Sequence, residues 1–166
     1  HVSASPNHQT NRVTPIETRA DVAYFGTFGY ELDLLKLSEE EKAEVRRQIA
    51  FMKEKRELIQ KGIFYRLKSP FEGNVTAWMI VSEDQKKALV GYYRVMQPVN
   101  IGFVRLKLKG LKEDTCYKVS GYDYDCYGDE LMQVGMILSD SASGVWKKGV
   151  NDKGDFQAKV FEIVAV

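Results

Sequence analysis

Few side chains in this sequence have the type and spacing that catalysis or metal binding requires. His1 and His8 are the only histidines, and His8 lies in a polar stretch with no second His or Cys at the spacing of metal ligands. The sequence contains no G-x-S-x-G nucleophile elbow, no phosphate-cradling Gly-rich loop, no H-E-x-x-H motif and no C-x-x-C pair. These absences remove the commonest signatures of hydrolases, nucleotide-binding proteins and zinc sites.

The segment from Gly121 to Glu130 interleaves carboxylates with aromatic rings. Tyrosine rings can stack on the faces of sugars, and carboxylates can accept hydrogen bonds from sugar hydroxyls. Asp123, Asp125 and Asp129 could also hold Ca²⁺, although their spacing does not match the twelve-residue loop of an EF-hand. The composition favours a third interpretation, a surface loop between two strands whose tyrosines cover the core.

The two cysteines are too few to stabilise a chain of 166 residues by disulfide bonds. The spacing of Cys116 and Cys126 would still allow one loop to be closed. Two cysteines without a secretory signal more often stay reduced, so free thiols are the expectation.

The overall composition is that of an ordinary globular protein. The 166 residues are 44% hydrophobic and 28% charged, and 24 Lys and Arg balance 23 Asp and Glu. A net charge of +1 leaves no clustered positive surface for nucleic acid or an anionic membrane. Apolar runs such as Ala77 to Val81 are far shorter than the roughly 20 residues of a membrane-spanning helix. We therefore expect neither nucleic acid nor a membrane as a partner.

Residues 1–62 have the pattern of one unit of an α/β fold. The run from Val22 to Phe28 is apolar on both faces, as in a strand of a parallel sheet that helices cover. Ser38 with Glu41 forms a capping box, which predicts a helix that ends at Lys61 with Gly62 as its stop. One strand and one helix cannot form a parallel sheet, so this unit needs further strands.

Residues 63–166 form short β-rich runs separated by turn residues, with no helix between them. The clearest run is Val104 to Lys109, whose alternating apolar and basic side chains predict a strand with one buried face. About seven such runs predict an antiparallel β-sandwich. The predicted strands are residues 63–67, 76–82, 88–96, 103–108, 115–119, 131–138 and 156–166. We place the domain boundary near Gly62.

Several stretches of the sequence, taken in order, resemble a known enzyme family. They are HVSASPNHQ at 1–9, RVTPIETR at 12–19, YFGTFGYELDL at 24–34, SPFE at 69–72, AWM at 77–79, LVGYYR at 89–94, LKLKGL at 106–111 and GDELM at 128–132. Together they resemble the C-terminal part of the alpha-galactosidases of glycoside hydrolase family 36. The resemblance extends from His1 to about Leu138 and does not include residues 139–154.

The resemblance implies a mainly β chain, a C-terminal antiparallel β-sandwich preceded by the last βα unit of a (β/α)₈ barrel. Residues 1–62 would be the tail of the catalytic barrel and residues 63–166 the C-terminal sandwich domain. His1 to Gln9 would leave barrel strand seven, Val22 to Phe28 would be strand eight, and Ser38 to Lys61 would be the last helix.

The resemblance also implies a retaining alpha-galactosidase that hydrolyses terminal α-galactosyl groups of the melibiose or raffinose type, without a metal or organic cofactor. Retention requires two carboxylates about 5–5.5 Å apart. The family places both upstream of the His-Val-Ser stretch, so neither role is carried over to Asp21, Asp33 or any other carboxylate here. We therefore expect this part to support the barrel, to be inactive alone, and to belong to a cytoplasmic homo-oligomer.

Barrel active sites form at the carboxyl ends of the strands. This placement makes His1, Ser3 and Tyr30 candidate substrate-binding residues at the barrel rim. The alternative for these residues is simple loop packing.

A second class of function stays open from the sequence. The β domain could be an independent carbohydrate-binding or protein-interaction module, with the loop from Tyr122 to Tyr127 or Trp146 as its contact surface. Quenching of tryptophan fluorescence by sugars separates the two classes, because a supporting domain predicts no quenching.

Overall fold

The chain folds as a short α/β unit followed by antiparallel β-sheets. A computed structural model describes residues 1–99, 104–139 and 155–166. In these ranges, no helix is both long enough and apolar enough to cross a membrane. The elements are, in chain order, β1 (Val2–Ser3), α1 (Ile16–Ala23), β2 (Tyr30–Glu31), α2 (Glu39–Lys61), β3 (Ile63–Lys68), β4 (Val75–Val81), β5 (Lys87–Arg94), β6 (Val104–Leu106), β7 (Cys116–Val119), β8 (Asp125–Tyr127), α3 (Gly128–Gln133), β9 (Met136–Ser139) and β10 (Gln157–Ala165).

The long helix α2 begins where the capping box predicts. Ser38 Oγ accepts a hydrogen bond from the Glu41 backbone N–H at 3.2 Å, and Glu41 Oε2 accepts one from the Ser38 N–H at 3.0 Å. The helix ends at Lys61, and the N–H of Gly62 donates to Leu58 O at 2.9 Å. The predicted helix is therefore confirmed at both ends.

The predicted strand at Val22–Phe28 is wrong. The helix α1 (Ile16–Ala23) occupies the start of this run, the chain then turns, and the parallel strand comes later, at Tyr30–Glu31. The run is apolar all round because its rings fill the space beneath the sheet, where Phe25 packs edge-on against Trp78 with 6.0 Å between ring centroids. Periodicity alone cannot distinguish a short buried strand from the end of a buried helix.

Strands β1 and β2 are parallel neighbours, and α1 is the crossover between them. Parallel neighbours require such a crossover, because a hairpin turn can join only antiparallel strands. The order β1, α1, β2, α2 is that of consecutive units of a β/α barrel. The sequence therefore predicted the right kind of unit and placed its strand too early.

The predicted antiparallel β-sandwich is confirmed. The large sheet has the strand order β3-β4-β5-β10-β7-β8 with antiparallel pairing throughout, and the small sheet pairs β6 with β9. The two sheets enclose one apolar core. Its buried members include Met79, Val90, Tyr117 and Ile163 from the large sheet and Leu106, Met136 and Leu138 from the small sheet.

Two predicted strands differ from the structure. Residues 131–138 divide into the end of α3 and the strand β9, with Gly135 at φ +89° between them. Leu131 lies in the helix and is only 1% exposed. Because a buried residue is apolar in a helix as in a strand, the sequence pattern did not distinguish the two. The predicted strand 103–108 ends two residues earlier, at Leu106, and its predicted first residue lies outside the described residues. The sequence missed β8. The other predicted strands begin and end within two residues of the observed bounds.

The outer face of the large sheet is covered by α1 and α2. This face carries Trp78, whose ring lies 4.8 Å from that of Tyr93. Gly91 leaves the space that the Phe25 ring fills, since a Cβ there would lie 2.8 Å from Phe25 Cε2. A second apolar cluster beneath the helices contains Val2, Ile16, Ala20, Ala23, Tyr24, Val45 and Met52. The α/β unit and the sandwich are therefore packed against each other.

We expect Gly62→Ala to destabilise the protein. Gly62 is extended (φ −71°, ψ 164°), so the glycine is needed for space rather than for a left-handed turn. A Cβ would lie 2.5 Å from Leu58 O and 2.9 Å from Val81 O. Overpacking of this kind costs about 1–3 kcal/mol, which urea denaturation measures as a lower free energy of unfolding.

The matched control is Gly73→Ala, because a Cβ at Gly73 would meet no atom within 4 Å. This variant is expected to unfold at the wild-type urea concentration. Equal stability of the two variants would contradict the close approach at Gly62.

Candidate functional site

The candidate site is the two-stranded parallel ladder of β1 and β2. Val2 lies opposite Tyr30, and Ser3 lies opposite Glu31. Because side chains alternate between the faces of a strand, Val2 and Tyr30 share one face, and Ser3 and Glu31 share the other. Val2 is fully buried in the cluster beneath the helices, so the first face points to α1 and α2.

Tyr30 is held on the helix-facing side by hydrogen bonds to α2. Its hydroxyl donates to Gln48 Oε1 at 2.9 Å and lies 3.4 Å from Val45 O. Gln48 is 2% exposed and donates through Nε2 to Glu44 Oε1 at 3.0 Å. Burial, with Glu44 nearby, raises the pKa of Tyr30 to about 12, so the hydroxyl keeps its proton at neutral pH.

The other face of the ladder carries polar side chains. His1 lies two residues before Ser3 and therefore on the same face, where its Nε2 contacts the Glu31 carboxylate. The His1 and Glu31 side chains are 59% and 64% exposed. Arg19 of α1 donates through Nη1 to Ser3 O, which fixes the end of β1 against the helix. An imidazole and a carboxylate are thus in contact on one exposed face, which the Ser3 side chain shares.

Two of the three residues predicted for the barrel rim, Ser3 and Tyr30, belong to this ladder, and His1 directly precedes it. His1 and Ser3 lie on the exposed face, whereas the Tyr30 hydroxyl points to α2. Contact of any of them with a substrate stays a prediction. Sequence reasoning missed Glu31, because its proximity to His1 depends on parallel pairing between strands that a helix separates. No spacing pattern in the sequence marks a single carboxylate in a strand of two residues as part of a site.

The acidic and aromatic segment 121–130 is partly a strand. Its centre is the edge strand β8, and the Tyr122 hydroxyl donates to Ile137 O at 2.7 Å. The Tyr122 and Tyr124 rings meet edge to face at 5.4 Å, and Tyr124 is 49% exposed. Within residues 1–99, 104–139 and 155–166, no group of His, Cys, Asp and Glu could hold a metal ion, so the Ca²⁺ hypothesis for the three aspartates is wrong. Trp146 lies outside the described residues.

The two cysteines cannot form a disulfide bond in this fold. Cys116 lies opposite Tyr127, and Cys126 lies opposite Tyr117, in the pairing of β7 with β8. Neighbouring positions alternate in direction, so the thiols point to opposite faces of the sheet. Cys126 is buried in the sandwich core and Cys116 is on the outer side, and both are free.

A second polar cluster lies where α1 meets α2 and the large sheet. Burial of the Asp21 carboxyl, with Glu44 and then Glu17 nearby, raises the pKa of Asp21 to about 7. The Asp21 backbone carbonyl accepts a hydrogen bond from the Tyr93 hydroxyl at 2.8 Å. The carboxyl therefore sits at a junction of three elements and is half protonated near neutral pH.

A cavity of about 870 Å³ lies between the end of α2 and the sheet, away from the ladder. Its wall carries five carboxylates and three lysines. Lys55 pairs with both Glu54 and Glu162, and Lys61 pairs with Glu57. None of the predicted site residues lines it.

Two family models match this chain, one on each side of the junction between α2 and β3. The model described as "Melibiase" matches residues 1–62. The model described as "Glycosyl hydrolase family 36 C-terminal domain" matches residues 75–163. The two matches follow the division between the α/β unit and the sandwich.

Similar proteins and structures extend over most of the chain. Alpha-galactosidase AgaA of Geobacillus stearothermophilus is 50% identical over 151 residues, which are 89% of this chain and 21% of that protein. Alpha-galactosidase Mel36A of Lactobacillus acidophilus is 39% identical over 166 residues, which are 100% of this chain and 21% of that protein. A crystal structure of an AgaA variant in complex with raffinose has a TM-score of 0.90 at 44% identity, covering 100% of this chain and 21% of its own. The chain spans about a fifth of the length of these relatives.

We expect Tyr30→Phe to destabilise the protein by about 1–3 kcal/mol, the usual cost of a buried polar atom without a partner. The change removes the hydroxyl that donates a hydrogen bond to Gln48 Oε1, so this oxygen loses that bond. Thermal and urea unfolding measure the loss. The same exchange at Tyr127, which is 56% exposed, is the control and is expected to change stability little. Equal losses in the two variants would show that the bond to Gln48 contributes nothing specific.

We expect Asp21→Asn to change how stability depends on pH. The pKa of Asp21 is about 7 in the folded state and about 4 when unfolded, so the folded state binds the proton more tightly. The extra stability that the folded state gains from binding this proton is complete below pH 4 and is lost as the pH rises to 7. The loss is at most about 4 kcal/mol, from three pKa units.

The measurement is the free energy of unfolding in urea at pH 5, 6, 7 and 8. The advantage of Asp21→Asn over the wild type is expected to grow up to about pH 7 and then level off. The exchange Asp123→Asn in the exposed segment before β8 controls for the side-chain change. A constant difference between wild type and Asp21→Asn at all four pH values would contradict the assignment.

Proposed function

This chain belongs to glycosyl hydrolase family 36, and we propose that it is the C-terminal part of a retaining alpha-galactosidase. The observation that carries the proposal is identity of 50% and 39% to named alpha-galactosidases over nearly the whole chain. The parent enzyme hydrolyses terminal α-galactosyl groups. Such hydrolysis with retention uses one carboxylate as nucleophile and a second as acid and base.

Galactosides of the raffinose type are the proposed substrates of the parent enzyme. Related crystal structures of G. stearothermophilus AgaA variants are complexes with raffinose and with stachyose, which supports this substrate class. The parent is further proposed to be a cytoplasmic homo-oligomer with neither nucleic acid nor membrane as a partner. The balanced charge of the chain and its free thiols support that environment.

The proposed role of this part is to support the catalytic barrel. Residues 1–62 are proposed as the barrel tail and residues 63–166 as the C-terminal sandwich domain, which the two separate apolar clusters support. Polar contacts between described residues join them. Tyr93 donates to Asp21 O at 2.8 Å, Thr18 Oγ1 donates to Phe156 O at 3.1 Å, and Lys55 pairs with Glu162. Contacts of this kind fix α1 and α2, which stand behind β1 and β2.

His1, Ser3 and Tyr30 are proposed as residues of the barrel rim. His1 and Ser3 would face the substrate side, and Tyr30 would hold β2 against α2 from behind. The proposal does not transfer the roles of nucleophile and acid to any carboxylate of this chain. The alternative of an independent binding module has less support, because the sandwich shares a packed face with α1 and α2.

We expect the 166-residue chain to be inactive on p-nitrophenyl α-galactoside and the longer protein that contains it to be active. The reason is that retention needs a nucleophile and an acid that this part does not supply. Release of p-nitrophenol is measured side by side at equal molar concentration. The β-galactoside is the control substrate and is expected to remain uncleaved. Turnover by the 166-residue chain alone would overturn the supporting role.

A further inference from the structure

The exposed face of the ladder carries an imidazole–carboxylate pair for which the fold of this chain gives little reason. His1 Nε2 contacts the Glu31 carboxylate, and the two side chains are 59% and 64% exposed. Even a fully charged pair so exposed would contribute only about 0–1 kcal/mol to folding. Neither side chain belongs to an apolar cluster of the structure. Stability of this chain therefore does not account for the pair.

The strands that carry the pair are of a kind that is buried on both faces. Parallel strands occur in sheets whose two faces are both covered, and here α1 and α2 cover only the face with Val2 and Tyr30. In the proposed parent enzyme, the face with His1, Ser3 and Glu31 is the inside of the barrel. Moving a carboxylate and an imidazole into such an interior costs free energy, because both groups lose water.

The position of the pair along the strands points to a ligand. Glu31 is the last residue of β2 and lies opposite Ser3, the last residue of β1. Ligands of β/α barrels and of open α/β sheets bind at these carboxyl ends. Glu31 lies at this end, and His1, which directly precedes β1, contacts it across the ladder. A polar pair that is costly to bury and reaches this end has a use in recognition.

The other carboxylate close to this end is already engaged in the fold. Asp33 Oδ1 accepts a hydrogen bond from the Leu35 backbone N–H at 3.0 Å and so caps the 3-10 turn Leu34–Lys36. This local bond explains the presence of Asp33. Glu31 has no such local role, and its carboxylate points to the imidazole across the ladder.

We propose that Glu31 is a positioning residue that orients the His1 imidazole toward the bound galactosyl group. This inference rests on the proposed function. A carboxylate at Nε2 holds the N–H on that nitrogen, which leaves the lone pair of the neutral ring on Nδ1. Nδ1 can then accept a hydrogen bond from a hydroxyl of the sugar. Without Glu31, the ring is free to take the other tautomer, in which Nδ1 is a donor.

The backbone beneath the pair is fixed, as positioning requires. The Val2 N–H donates to Gly29 O at 2.7 Å, and Arg19 of α1 donates to Ser3 O. Tyr30 is tied to Gln48 of α2 directly before Glu31. Both ends of the pair thus stand on backbone that the helices hold.

The test uses the full-length enzyme that contains this segment, with p-nitrophenyl α-galactoside and raffinose as substrates. Glu31→Gln keeps the shape of the side chain and removes its charge. It is expected to lower kcat/KM by about 10- to 100-fold, the range for groups that orient another functional side chain. Glu31→Asp is expected to recover part of this loss. His1→Gln is expected to give a similar loss, and the double variant Glu31→Gln with His1→Gln no more than either alone, since the two act as one unit.

Glu57→Gln is the matched control. Glu57 is an exposed carboxylate that pairs with Lys61 on α2, away from the ladder, and this variant is expected to keep the wild-type kinetics. The melting temperature of every variant is measured beside its kinetics. A structural role alone predicts a lower melting temperature with unchanged kcat and KM for the folded enzyme. If Glu31→Gln does not fold, Glu31→Asp and His1→Gln test the same coupling.

The outcomes separate this inference from the proposed function. A full-length wild-type protein without activity on either galactoside would overturn the proposed function. An active wild type with unchanged kinetics in Glu31→Gln and His1→Gln would overturn the positioning role alone. Losses that simply multiply in the double variant would show that His1 and Glu31 act separately, which also contradicts the inference.

Discussion

The packing of α1 and α2 on the outer face of the large sheet is the interaction on which the rest of this structure depends. The face is rich in aromatic rings, and the glycine at position 91 lets the Phe25 ring approach the backbone of β5. Tyr93 adds a hydrogen bond from its hydroxyl to the Asp21 carbonyl. Burial of these rings removes apolar surface from water, which is the dominant favourable contribution in such an interface. A sandwich without the helices would leave this face wet.

The same interaction determines where the ladder lies. The helix α1 is seated on β5 and β10 and holds the end of β1 through the bond from Arg19 to Ser3. The helix α2 holds β2 through Tyr30 and Gln48. The position of β1 and β2 is therefore transmitted from the sandwich through two helices. This is how the sandwich determines the position of a two-stranded ladder that is not part of its sheets.

The charged groups at this junction add specificity more than stability. Lys55 of α2 pairs with Glu162 of β10, and its side chain is only 17% exposed. A pair of this kind contributes little net free energy, because both groups lose water, but it disfavours other positions of the helix on the sheet. Asp21 acts in the opposite sense, because burial, and then the nearby Glu44 and Glu17, disfavour the charged form of its carboxyl. Stabilising and destabilising charges thus meet on the same apolar interface.

The sequence by itself determined the elements whose signals are local. The capping box at Ser38 and Glu41 depends on residues three apart, and the alternation of strands in the sandwich depends on residues two apart, so both are readable without a fold. The order of the motifs along the chain also identified the family. Only the tertiary structure decided that Val22–Phe28 contains the end of a helix and the turn after it. Its aromatic residues are equally common in a buried strand, and only their packing distinguishes the two. It alone placed Glu31 beside His1, since that contact joins residues thirty positions apart through parallel pairing, which no local pattern encodes.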